Sequence, residues 1–135
     1  MASVLKVDSI TGVTTAGSVS VQGEGSATTN LQQGLAKAWV THASASIQDS
    51  INVSSITDIS GGTQQIFFSN SMANTTYIIA GLVGNNNDSA SNTMNSQRPY
   101  LWATASYRSR TLYNSGSGVA ADYDHTDNMV MGDLA

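Results

Sequence analysis

The stretch Ile47–Gly84, IQDSINVSSITDISGGTQQIFFSNSMANTTYIIAGLVG, is the densest apolar and β-branched run in the chain, and its reading decides the fold. From Ile47 to Ile59 the odd positions carry Ile47, Asp49, Ile51, Val53, Ser55, Thr57 and Ile59, and the even positions Gln48, Ser50, Asn52, Ser54, Ile56 and Asp58. Only Asp49 and Ile56 break a period of two, the pattern of one strand with a dry face and a wet face. Ser60-Gly61-Gly62-Thr63 supplies the positive-φ positions of a tight reversal, and Gln64–Ser69 returns as the partner strand of a hairpin. Beyond the connector Asn70–Asn74, Thr76–Val83 is apolar on both faces, with Tyr77, Ile79 and Val83 on one and Ile78, Ala80 and Leu82 on the other. A strand of that kind is expected to be covered on two sides, by a second sheet or by another subunit.

Working outward, Val4–Ile10 alternates and Val13–Val21 is small, polar and β-prone, with too few large side chains to build a core. Residues 1–29 therefore read as an extended N-terminal arm ending in a flexible Gly23–Thr29 joint, with an edge hairpin of the main domain as the alternative. Residues 30–135 read as the body. Asn30–Trp39 is the one stretch with helical spacing: Asn30 can cap, and Leu31, Leu35, Ala38 and Trp39 share a face. Gly34 limits it to one or two turns, with Ala38–Thr41 open to being strand. On the other side, the thirteen residues Asn85–Gln97 form a long polar loop, Arg98–Tyr107 resumes as strand, and two short strands, Val119–Tyr123 and Met129–Leu134, flank a polar tip. About eight short strands separated by turns predict an all-β fold, a β-sandwich or jelly-roll-like body.

Composition narrows the function classes. Charged residues make up 10% of the 135, far below the roughly 25% of ordinary soluble domains, and Ser, Thr, Asn and Gly fill their place. Five Lys or Arg against nine Asp or Glu give a net charge of −4, which leaves no basic footprint for nucleic acid. There is no Cys, so disulfides, thiolate metal sites and thiol nucleophiles are excluded by inventory. No apolar run nears the roughly 20 residues that span a bilayer as a helix, so no membrane insertion is expected. The start lacks the basic-then-apolar layout of a secretory signal, so export by that route is not expected.

The candidate chemistry is sparse. Asp122, Asp124, His125 and Asp127 cluster in DYDHTD, but the calcium-loop pattern fails because Asp127 stands where the turn glycine belongs. No G-x-S-x-G elbow supports a hydrolytic role for His42 or His125. The sequence thus nominates no catalytic, cofactor or metal residues, and the protein reads as not an enzyme. Contact residues are placed instead on the loop Asn85, Asn86, Asn87 and Asp88, on the tip Tyr123, Asp124 and His125, and on Arg108 and Arg110. These arginines share a strand face and suit an anionic sugar or phosphate, an intersubunit pair, or the guarding of a sheet edge.

The segments LKVDSITGVTTAGSVSVQGEG, NLQQGLAKAWV, INVSSITDISGGTQQIFFSNSMANTTY and the terminal GDLA resemble tail-fibre and other virion appendage proteins of marine bacteriophages, notably those of cyanobacteria. The resemblance spans nearly the whole chain and carries no catalytic motif. It implies a virion location, an N-terminal segment anchored to other virion proteins, a β-rich and commonly trimeric body, and contact with a host surface glycan or protein. The long repetitive shaft of a full fibre is missing, so a short fibre, a fibre tip or a capsid-surface decoration is what the resemblance implies here. A small carbohydrate-binding β module is the competing class.

Overall fold

The structure, a computed structural model, describes residues 6–13, 19–22, 26, 28–31, 34–84, 96–113 and 119–135. The chain divides into two compact units, Met1–Leu35 and Ala36–Ala135. In the first, β1 (Ser20–Gln22) and β2 (Thr28–Asn30) pair antiparallel, so Thr28 and Thr29, expected in a joint, are strand. Residues 6–13 form no strand, and Val7, Ile10 and Val13 are exposed.

The described residues of the expected helix are not helical. The Gly34 N–H donates to the Asn30 carbonyl (3.1 Å), one isolated turn, and no helix occurs among the described residues. Ala38 onward is already strand, because alternate residues Ala38, Val40 and His42 are buried. Burial with a period of two outweighs the weak helical spacing of a short, glycine-interrupted segment.

The second unit is all-β and built from two antiparallel sheets. One contains β3 (Ala38–Ala43), β4 (Ser46–Ile51), β7 (Ile78–Gly84) and β11 (His125–Met131), in the order β4-β3-β11-β7. The other contains β5 (Val53–Ser60), β6 (Thr63–Phe68), β8 (Ser96–Tyr100), β9 (Ser106–Tyr113) and β10 (Val119–Ala120). Its path is β10-β9-β6-β5, with β8 also on β9. Arg108 pairs with both Gln65 of β6 and Tyr100 of β8, and Leu112 with both Ser96 of β8 and Ala120 of β10. Because a strand has only two edges, β8 lies along one side of β9 and β6 and β10 follow each other along the other. Ala38, Val40 and Val130 from the first sheet meet Ile66, Phe68 and Tyr107 from the second, with Met72 and Tyr77, in one buried cluster. Phe68 packs edge-on to Tyr77 (centroids 5.7 Å apart, planes at 78°) and tilted to Tyr107 (5.7 Å, 40°).

Ile47–Ile59 is two strands, one in each sheet. Asn52 takes φ of 54°, a left-handed conformation that Asn tolerates better than most residues, and turns the chain from β4 into β5. Its side chain fixes the corner. Nδ2 donates to the carbonyls of Lys37 and Asn70 (3.1 Å each), and Oδ1 accepts the Asn70 N–H at 2.7 Å and the Asn70 amide at 3.1 Å. Register shifts within the two strands change the parity: one opposite Thr41 and His42 puts Ile51 outward after Ile47, and one between Val53 and Ser55 puts Ile56 on the core, so Ile51 and Ile59, expected on the dry face, are exposed.

The Ser60–Thr63 reversal forms as the glycines predict. Gly62 has φ of 69°, and a Cβ there would lie 2.4 Å from the Ala121 nitrogen and 2.8 Å from the Thr111 carbonyl oxygen. Only glycine fits this turn against β9 and the segment after β10. The Arg98–Tyr107 strand is likewise interrupted: Leu101 has φ of 51°, residues 101–105 are exposed, and strand resumes at Ser106.

Candidate functional site

In the four-stranded sheet the register sets Ile51, Trp39, Met129 and Ala80 in one row of the outer face and Asp49, Thr41, Asp127 and Leu82 in the next, with Ile78 beside Met131. β7 therefore has one face in the core, through Ile79, and one face open. Ile78 is 67% exposed and Leu82 74%, where the sequence pattern predicts cover on both sides. The Thr41 hydroxyl donates to Asp127 Oδ1 at 2.7 Å, and Asp127 Oδ2 lies 3.2 Å from His125 Nε2. Among the described residues Asp49 accepts only the N–H of the neighbouring Ser50, at 2.8 Å.

The outer face of the five-stranded sheet has the opposite charge. Arg108 and Arg110 are two residues apart on β9 and so share that face, and Arg108 Nε donates to Gln65 Oε1 at 3.2 Å. Arg110 is exposed and has no partner among the described residues. The backbone register sets Arg98 opposite Arg110, which brings all three arginines of the chain to neighbouring positions on two strands. Since β9 is interior to its sheet, Arg108 and Arg110 do not guard an edge. A guanidinium presents donors in a fork that matches a carboxylate or phosphate.

The other nominated residues are placed differently. Asn85, Asn86, Asn87 and Asp88 lie outside the described residues. The polar tip is shorter than the sequence suggests, because β11 begins at His125 and runs between β3 and β7. Thr126 and Asn128 point inward, and Tyr123 is buried, so it presents no ring to a partner; Asp124 is exposed and His125 half-buried. Asp122 Oδ1 accepts the Gly62 N–H at 2.7 Å and the Gln64 amide at 2.9 Å, which ties it to the β5–β6 turn. Among the described residues no three His, Asp or Glu gather into a metal-holding group.

Sequence reasoning missed the buried polar residues. His42 is fully buried, and its Nδ1 lies 2.8 Å from the Ser44 carbonyl oxygen. A carbonyl only accepts, so Nδ1 carries the proton and Nε2 offers its lone pair to the Asn128 amide at 3.3 Å. Burial lowers the His42 pKa below its ordinary 6.5; the bond to Ser44 and the nearby Asp127 oppose this, and His125 adds to it. Gln64 Oε1 and the Tyr107 hydroxyl are buried without a hydrogen-bond partner among the described residues. Burial pushes the Tyr107 phenol up, with a further contribution from Tyr77. Burial also raises Tyr77, to about 12, although its hydroxyl donates to the Ala103 carbonyl at 2.9 Å. The one available signal was parity, since His42 alternates with Val40 and Ala38.

No protein-family model matches the chain, and neither a curated protein nor a solved structure does. Among the described residues no helix is long and apolar enough to cross a membrane.

Proposed function

We propose that this protein is a non-enzymatic bacteriophage virion protein, a short tail fibre or fibre-like appendage that works in particle assembly and host attachment as a homotrimer. One observation carries the reading: the side chains free to interact, Arg110, Asp49, Ile78 and Leu82, stand on open outer sheet faces. Open β faces suit contact between surfaces, whereas catalysis on a small molecule calls for a concave, water-excluding site. The buried His42 and the exposed Asp122 are both engaged in holding turns. The segment wording that resembles marine phage appendages supplies the particle context, and residues 1–22 are assigned the anchoring role toward other virion proteins.

Immunogold labelling of intact particles tests this directly. Label at the tail supports the fibre reading, label over the head reassigns the protein to capsid decoration, and unlabelled particles refute a virion role. Deleting residues 1–22 is expected to leave a folded β body that no longer incorporates into particles, measured by circular dichroism and by particle composition.

A further inference from the structure

The two outer faces of the body carry complementary chemistry that one copy cannot bring together. Asp49 and Asp127 stand on the outer face of the four-stranded sheet, both in register with Thr41, while Arg108 and Arg110 stand on the outer face of the five-stranded sheet. The faces point away from each other across the shared core, so these carboxylates and guanidinium groups meet only between molecules. Among the described residues the sole ion pair is His125–Asp127, and no arginine is paired with a carboxylate.

The spacings match as well. Asp49 and Asp127 flank one strand, which separates them by about 10 Å across the sheet, whereas Arg108 and Arg110 are roughly 7 Å apart along a strand. Long arginine side chains bridge that difference when the strands of the two facing sheets cross at a steep angle, one of the two usual packings of sheets. Such crossing would also lay the open apolar side chains Ile51, Met129, Ile78 and Leu82 against the neighbouring copy. β7 has no charge, proline or bulge to keep partners away, whereas β4 carries Asp49, β5 carries Asp58 and two register shifts, and β8 carries Pro99.

We infer that the acidic and apolar outer face of the four-stranded sheet of one copy docks on the arginine-bearing outer face of the five-stranded sheet of the next. The contact is heterologous, joining two different patches, and repeated by rotation it closes into a ring. This names the partner surfaces of the self-association proposed above and rests on that reading.

Light scattering and sedimentation of the full chain at micromolar concentration test the contact. The wild type is expected to be oligomeric, with association that weakens as salt rises. Arg110→Asp and Asp49→Arg, both at exposed positions, should each raise the dissociation constant about tenfold or more, because each sets like charges against each other. The doubly swapped chain carrying both changes should recover most of the loss, with circular dichroism confirming that all variants fold. A monomeric wild type would overturn both the docking and the proposed self-association. An oligomer that neither single variant weakens would overturn the docking alone and leave the self-association standing. Arginine variants that keep their oligomeric state but lose retention on heparin would also overturn it and reassign the arginine face to an anionic polysaccharide.

Discussion

The interior of the body has two unlike ends. Both sheets meet at Asn52 with apolar side chains, Val53 and Phe68 on one and Ala38 and Val40 on the other. Further along the same strands the buried residues turn polar: Gln64, Ser109 and Thr111 in one sheet, His42, Thr126 and Asn128 in the other. The chain crosses between the sheets at this second end too, with Asp122 bonded to Gln64 and Thr126 paired with His42 four residues later. One end is held by packing, which depends on volume; the other is held by directed hydrogen bonds, which depend on protonation state. The contrast explains how a chain with 10% charged residues can bury a histidine and several amides.

Emptying the apolar end should have the largest effect. Phe68→Ala removes the ring between Tyr77 and Tyr107 and should cost about 3–5 kcal/mol, read as a lower urea midpoint at unchanged slope. Total stability of such domains is about 5–15 kcal/mol, so this one change could consume much of it. A loss below about 1 kcal/mol would show that packing does not dominate there.

Acid should act on the polar end and spare the apolar one. His42 has a folded pKa below its ordinary 6.5, so the unfolded chain takes up the proton more readily. Its contribution is complete above that value and is lost as pH falls below it. Protonation would place a second N–H against the Asn128 amide. The melting temperature should fall from pH 7.5 to pH 5, and the decline should be shallower in His42→Gln. Equal slopes would remove His42 as the cause.

The smallest effect is expected from Tyr107→Phe. The hydroxyl is buried and has no partner among the described residues, so deleting it removes a desolvated group without breaking a bond. Stability should stay within roughly 1 kcal/mol of wild type or rise. A larger loss, measured by the same urea titration, would reveal a hydrogen bond to that oxygen.

The amino-acid pattern alone determined the all-β class and the hairpin at Ser60–Thr63, because alternation and paired glycines act through local backbone geometry. It also put Arg108 and Arg110 on one strand face, since residues two apart on a strand always share one. Tertiary structure decided the rest. Whether Ile47–Ile59 is one strand or two turns on Asn52, whose left-handed backbone is held by Asn70 and Lys37, residues far along the chain. Whether an arginine pair guards an edge or presents a face depends on which strands flank β9, and β6 precedes it by some forty residues. The fate of Asp122 and His42 was hidden for the same reason: a polar side chain reads as solvated until a distant turn or strand supplies its hydrogen-bond partner. Period and turn chemistry are local quantities, but burial is a property of two elements at once, and only the packed sheets define it.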